Sequence, residues 1–277
     1  NKIRSILTTI GIVIGVASVA AVIASLTGLK TKVLDDFEAF GTNKIYIWAH
    51  RPKKGPKANI DWWLIKFQPR NFENILKHCP SLAEYSFITN LGSQTIRHAD
   101  ESVQGVRVRG VSSSWFSIEQ KNFKIGRPFS VVDDMQSRHV CVITPDLRDS
   151  LMLDKDCINE TIRIGSYSFQ IIGIVESNPQ YAIIGADRTK SFAIIPFGTG
   201  QKLKDNWIEL IASAKSTSVN KEAQAEIKFF LRKIRNIKPG EPDTFKVFSV
   251  ENAMERFNRT ATMITLVAGG IVCISLL

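Results

Sequence analysis

Apolar positions dominate residues 5–29, SILTTIGIVIGVASVAAVIASLTGL, and no charged residue breaks them. At the helical rise this stretch is roughly 37 Å long, enough to cross a bilayer with some tilt. Twelve of its residues are Leu, Ile or Val, which favours insertion by roughly 4–7 kcal/mol before the polar residues subtract their share. A soluble amphipathic helix carries a polar stripe, and none is present. Residues 1–29 are therefore read as a first transmembrane helix. A secretory signal peptide is one alternative, because Ser18-Val19-Ala20 imitates a cleavage site, but its apolar core runs only about 7–15 residues. A fully buried globular helix is the other, and it fails because the far end of the chain repeats the signal. Residues 260–277, TATMITLVAGGIVCISLL, are again uncharged and read as the start of a second transmembrane helix. With Asn1 at one end and an apolar run at the other, the sequence reads as part of a longer protein.

Small residues punctuate both apolar segments. Gly11 and Gly15 form a GxxxG step and Gly269-Gly270 a second small patch, the kind of surface on which membrane helices approach closely. Lys2 and Arg4 precede the first segment, as a cytoplasmic start requires, although Lys30 and Lys32 follow it.

Past Leu29 the pattern becomes amphipathic. In residues 30–41 Val33, Phe37 and Phe40 recur at i, i+4 and i+7 among charged neighbours, and Gly41 supplies a stop. This predicts a stalk that continues the helix out of the membrane. Residues 250–259 resume the same spacing through Met254 and Phe257 and predict a second stalk running into the second span.

Between the stalks, residues 43–48 (NKIYIW) read as a strand, and residues 49–61 as a Pro/Gly/Lys loop before Trp62-Trp63, whose rings are expected in core or hinge packing. A helix is predicted from Pro69 to Pro80 with Phe72, Ile75 and Leu76 on one face. Strands at 83–89, 93–98 and 103–111 follow, the last two joined at Asp100-Glu101. Residues 112–202 change texture: short strands at 139–143, 161–164, 167–175 and 192–195, one helix near 145–153, and turns at Gly126, Gly165-Ser166 and Pro179. From 207 the first texture returns as a strand, a helix over 220–234 striped by Ala223, Ile227, Phe230, Leu231 and Ile234, and a strand over 245–249. The predicted class is α+β. One subdomain, residues 42–111 and 203–249, is interrupted by a β-rich insertion at 112–202.

Net charge is +10, from 36 basic and 26 acidic residues. No zinc-finger spacing or RNP motif accompanies it, so basic loops near a membrane explain the charge better than nucleic acid does. The cysteines, Cys79, Cys141, Cys157 and Cys273, contain no CxxC pair. Cys141 reads as a buried strand residue, and pairing of Cys79 with Cys157 stays open. Gly105 and Gly110 have the first spacing of a P-loop, but Val111 follows where Lys is required. No HExxH, no G-x-S-x-G and no metal-ligand spacing of histidines is present. The adjacent pairs Asp35-Asp36 and Asp133-Asp134 read as solvated or capping residues. The sequence offers no catalytic, cofactor or metal residue.

Five stretches together resemble the MacB/FtsX-type permeases of ABC transporters. NKIRSILTTIGIVIGVASVAAV with GTNKIYIW resembles that family's first helix, stalk and "GTN-apolar" strand. GVSSSWFSI with IGRPF resembles "GVS..YF" and "GR.F", and INETIRIGSYSFQIIGIV resembles "G..I.I.G..F.VIGV", with Asn159 where Gly is usual. FAIIPF resembles "W-x-P-Y/F", and TLVAGGIVCISLL the opening of the second transmembrane helix. The resemblance implies a four-helix permease in a bacterial cytoplasmic (inner) membrane, with residues 30–259 extracytoplasmic and built as a porter-like α+β subdomain with a β-rich insert. It further implies a second permease copy, a cytoplasmic ABC ATPase that holds ATP-Mg, and in some members a periplasmic adaptor or substrate-accepting protein. Such permeases work by mechanotransmission, in which ATP-driven movement of the helices is carried by the stalks to the external domain to export or extract a peptide, lipoprotein, lipid or drug. A two-helix membrane sensor with an extracytoplasmic ligand domain also explains two spans around a folded middle. Two more apolar spans after residue 277 would favour the permease, and a charged coiled coil the sensor.

Overall fold

The structure, a computed structural model, describes residues 2–39, 41, 43–176 and 191–276. Phe40 and the expected turn at Pro179 lie outside the described residues, as do the Phe37 side chain and the surroundings of Gly269. The chain divides into two compact units, Asn1–Thr42 with Val250–Leu277, and Asn43–Ser249.

The first unit is helical. Helix α1 (Lys2–Ala39) runs 38 residues without a break, so the expected membrane segment and stalk are one rod of roughly 57 Å. Gly41 follows at φ 89°, a backbone conformation that ends a helix. Within α1, Thr9–Val33 has a mean hydropathy of 2.4 and is long and apolar enough to cross a membrane, four residues further along than the sequence pattern places the span. A second helix, Val250–Leu276, is also continuous and packs against α1.

The second unit is built in chain order from β1 (Lys44–Ala49), α2 (Trp62–Ile65), α3 (Ile75–His78), β2 (Leu82–His98), β3 (Glu101–Val111), α4 (Trp115–Ile118) and β4 (Phe123–Gly126). It continues through α5 (Val131–Met135), β5 (Val140–Ile143), α6 (Pro145–Ser150), β6 (Thr161–Ile164), β7 (Tyr167–Val175) and β8 (Phe192–Pro196). It closes with α7 (Phe197–Leu203), β9 (Ile208–Ala214), α8 (Asn220–Ile234) and β10 (Phe245–Ser249), after which Val250–Leu276 is α9.

Strands β10, β1, β9, β2 and β3 are antiparallel neighbours in that order. Alternation along β1 sends Ile45 and Ile47 to one face and Lys44, Tyr46 and Trp48 to the other. Ile45 and Ile47 enter a core with Phe67, Phe72, Ile75, Leu210, Ile227 and Phe245, so residues from both sides of the 112–202 segment fill it. The stripe of α8 buries Ala223, Ile227, Phe230 and Leu231 here, while Ile234, in its last turn, is exposed. The helix expected from Pro69 is cut in two. Asn74 takes φ 64°, separating a 3-10 turn (Pro69–Phe72) from α3; Phe72 and Ile75 still reach the core, but Leu76 is exposed.

The strands expected at 83–89 and 93–98 are one strand, β2, which passes through two bulges, with Gly92 at φ 78°. Seventeen residues extend roughly 56 Å, too long for a single small core, and the distal half of β2–β3 serves another. Strand β3 pairs with β8, β8 with β5, β5 with β7, β7 with β6, and β6 returns to β2 at Ile96↔Ile164. Six strands thus close a ring around Leu91, Ile96, Val108, Ile143, Ile162 and Phe169. The expected boundary at residue 111 runs through this barrel, because β2 and β3 supply part of its wall. A third core, with Trp115, Phe116, Phe129, Val140, Ile172 and Ile211, lies on the opposite face of the sheet. Cys79 sits in the first core and Cys157 in the barrel with Cys141; all three are free thiols, so Cys79 and Cys157 are not paired.

Candidate functional site

Both connections to the helical unit enter one pair of strands at the same end. In the β1–β10 pair Ile45 stands opposite Ser249, and Val250 opens α9 directly afterwards. On the face away from Ile45 and Ile47, Lys44 Nζ donates to Glu119 Oε2 at 3.0 Å and Tyr46 Oη donates to Glu119 Oε1 at 3.1 Å. The side chains of Lys44 and Glu119 are 6% and 3% exposed. Glu119 caps the C-terminus of α4, so one carboxylate ties the first strand after α1 to the segment that builds the third core.

Other polar groups surround this pair. Lys121 lies over the Trp115 ring at 5.9 Å. Burial is the largest influence on it and pulls its ammonium down to about 8, with Glu119 pushing back and Lys44 and Arg109 adding to the fall. Burial raises the Tyr46 phenol, and Glu119 raises it further. Burial also raises the Glu209 carboxyl, against the pull of Arg109. Lys44, Glu119 and Lys121 thus form a layer of charge held out of water between β1 and the end of α4, while Arg109 is half-buried and Glu209 exposed at its edge. Such a layer is sensitive to geometry, because a buried charge that loses its partner is strongly disfavoured.

A second polar arrangement lies at the barrel. A cavity of about 440 Å³ is lined by Arg127, Asp133, Arg138, Asn159 and Gln170, among others. Asp133 Oδ2 accepts from Arg127 Nη1 at 2.8 Å, from the Ser130 amide at 2.9 Å and from Ser130 Oγ at 2.8 Å, and Oδ1 faces Arg138 Nη1 at 3.4 Å. Ser130 Oγ in turn accepts from the Asp133 amide, completing a capping box at the start of α5. Burial works against ionisation, but the hydrogen bonds from Arg127 and Ser130, with the Arg127 charge, hold the Asp133 carboxyl down at about 2. Its neighbour Asp134 accepts from the Gly198 amide at 2.8 Å.

The residues singled out for helix packing and for the stalks fall in the helical unit. Among the described residues, a Cβ added at Gly11, Gly15 or Gly270 would meet nothing within 4 Å. Val33, Met254 and Phe257 are half-buried. Of the Trp62-Trp63 pair, Trp62 packs edge-on against Trp207 at 5.4 Å with the Arg51 guanidinium over its other side at 4.7 Å. Both residues are exposed, Trp62 at 45% and Trp63 at 71%, contrary to the core packing expected for the pair.

A profile of the MacB-like periplasmic core domain matches residues 5–229. The chain belongs to that family. Among curated relatives of the MacB-like family, the macrolide export ATP-binding/permease protein MacB of Neisseria meningitidis is 26% identical over 98% of this chain, and that of Haemophilus ducreyi is 30% identical over all of it. The chain spans 42% and 38% of those proteins' lengths. The periplasmic region of MacB from Actinobacillus actinomycetemcomitans superposes with a TM-score of 0.61 at 16% identity, covering 82% of this chain and 98% of that one. The extracellular domain of YknZ, an ABC-type transporter of Gram-positive bacteria, superposes with a TM-score of 0.58 at 14% identity, covering 75% and 100%. Both likenesses establish a MacB-like fold.

Proposed function

We propose that the chain is a permease segment of a MacB/FtsX-type ABC transporter that works by mechanotransmission. Helix α1 spans a bacterial inner membrane and α9 begins a second span, with residues 30–259 on the outer side. Gly11, Gly15, Gly269 and Gly270 serve contacts with further membrane helices, including those of a second permease copy. A cytoplasmic ABC ATPase, on a partner subunit or a fused domain, binds ATP-Mg and supplies the energy; this segment holds no nucleotide. Val33, Phe37, Phe40, Met254 and Phe257 act in the stalks that carry helix movement outward. The cargo is a peptide, lipoprotein, lipid or drug, expelled or handed to an adaptor on the outer side.

One observation carries this reading. The two connections from the helices reach adjacent antiparallel strands, Ile45 opposite Ser249, and Lys44 in the first of these is pinned to Glu119. Relative movement of the two helix ends therefore loads a single hydrogen-bonded ladder that continues through β9 and β2 into the barrel. A stiff 38-residue helix transmits tilt, and a proline in its outer part would break it. Asp36→Pro is expected to leave membrane insertion and ATP hydrolysis by the assembled transporter intact while lowering export at least tenfold. Full export by a correctly inserted D36P transporter overturns the proposal.

A further inference from the structure

The outer wall of the barrel carries a lateral row that crosses four strands. Ser102 of β3 stands opposite Arg97 of β2, Arg97 opposite Arg163 of β6, and Arg163 opposite Ser168 of β7. All four are exposed. The flanking residues Ile96, Ile162 and Ile164 point inward to the barrel core, so alternation sends the row outward. Two arginines directly opposite on antiparallel strands hold their Cβ atoms only about 4.5–5.5 Å apart, a like-charge placement that disfavours the sheet unless an anion answers it. Among the described residues, the side chains of Arg97 and Arg163 make no hydrogen bond or ion pair. Glu160, immediately before β6, is engaged by His98 Nε2 at 3.3 Å.

A second positive centre lies on the same face. Gln170, two residues beyond Ser168 along β7, lines the cavity in which Arg127 and Arg138 share the single carboxylate of Asp133. The row thus carries two uncompensated charges and the cavity one; the near edge of the cavity, Gln170, lies about 7 Å along the strand from Ser168, and Arg127 stands opposite Ile172, two residues further on. Each such step is the spacing of same-side residues on an extended polypeptide. A compact anion would meet one centre and miss the other, whereas carboxylates spaced along an extended chain reach both.

We propose that this wall docks an acidic, extended segment of a partner protein, its Asp or Glu side chains pairing with Arg97 and Arg163 and reaching the Arg127–Arg138 cavity. Guanidinium groups suit the task because they bind carboxylates bidentately. The inference is independent of the permease reading, since it rests only on the barrel wall.

The test uses the full chain in uncharged detergent micelles and a fluorescein-labelled octaglutamate peptide, followed by anisotropy. Binding should weaken steeply as salt is raised from 50 to 300 mM. R97E/R163E should weaken it at least tenfold and R97Q/R163Q by a smaller factor. K215E/K233E, an equal change in net charge at exposed lysines elsewhere, should leave it within twofold. Equal loss in the two charge-reversed variants shows a net-charge effect and overturns the proposal, as does unchanged binding in R97E/R163E. If phosphatidylglycerol added to the micelles displaces the peptide through Arg97 and Arg163, the wall is a lipid surface and the proposal fails.

Discussion

The Glu119 carboxylate and the Lys44 ammonium close a buried ion pair across 75 residues of sequence, 3.0 Å apart, and Tyr46 on the same strand donates to the other oxygen of that carboxylate. The contact joins the first strand of the globular unit to the segment that forms the third core. Removing one partner strands the other in a site with almost no water.

Glu119→Ala is therefore expected to destabilise the globular unit by about 3–5 kcal/mol, through the uncompensated Lys44 charge. The combined Lys44→Met and Glu119→Leu substitution should recover most of that loss, because well-packed apolar groups often replace a buried pair at little cost. Urea unfolding followed by tryptophan fluorescence, run as a double-mutant cycle, measures both. A loss below about 1 kcal/mol for Glu119→Ala would show that the pair does not hold the joint.

Lys121 makes the same layer sensitive to alkaline pH. Its ammonium is pulled from 10.5 to about 8 in the folded state, chiefly by burial. Between about pH 8 and 10.5 the unfolded chain therefore binds more protons than the folded one, and stability rises with pH through that window. Below pH 8 both states hold the proton and the penalty is complete. Lys121→Met, similar in length and uncharged, should raise stability at pH 7 and flatten the curve between pH 8 and 10. Denaturation midpoints at pH 7, 8, 9 and 10 for both proteins read this directly, and parallel curves would refute it.

Where one periodicity ran unbroken, the sequence disclosed the element. The α8 stripe, strands β6, β7 and β10, and the apolar face-less run of α1 all stand within a few residues of their expected places. The short elements α4, β4, α5 and α7 did not show, because four to seven residues without a clear apolar alternation complete no recognisable period. Barrel closure was also invisible, since β2 meets β6 through two residue pairs some 66 positions apart, Ile96↔Ile164 and Arg97↔Arg163, that leave no local mark. The break expected between 89 and 93 is a bulge at Gly92 within a continuing strand. Asp133 could have been found. Ser130 three residues earlier spells a capping box, but its burial depends on Arg127 and Arg138, whose convergence is tertiary.

Gly126, within IGRPF, sits where no side chain fits. Its φ is +81°, and a Cβ there would fall 2.2 Å from the Ile172 carbonyl oxygen and 2.7 Å from the Gly173 Cα. Gly173 is its partner across the β4–β7 ladder and is equally crowded, by the Arg127 carbonyl oxygen at 2.8 Å. Gly126→Ala should cost on the order of 3 kcal/mol or more, from strain and backbone overlap together. It should also displace Arg127, the next residue, from Asp133. Thermal unfolding tests the first effect, and a wild-type-like melting temperature would contradict the geometry.

Asp133 gives the acid counterpart to Lys121. The unfolded carboxyl titrates near 3.9, whereas in the folded state Arg127 and Ser130 hold it at about 2 against the opposing influence of burial. A folded-state value below the unfolded one means that the contribution is complete above pH 4 and is lost as pH falls through about 2. Its size is on the order of 1–2 kcal/mol, because Arg127 and Arg138 are about half exposed and their charges are screened. Asp133→Asn removes the charge but keeps the shape, so it should lower stability at pH 7 and show a shallower acid limb between pH 4 and 2. High salt should shrink the difference between the two proteins at pH 7, since the guanidinium partners lie near water. If the acid limbs coincide, the Ser130 hydrogen bonds hold the start of α5 without help from the carboxylate's charge, and the cavity arginines are anchored by something other than Asp133.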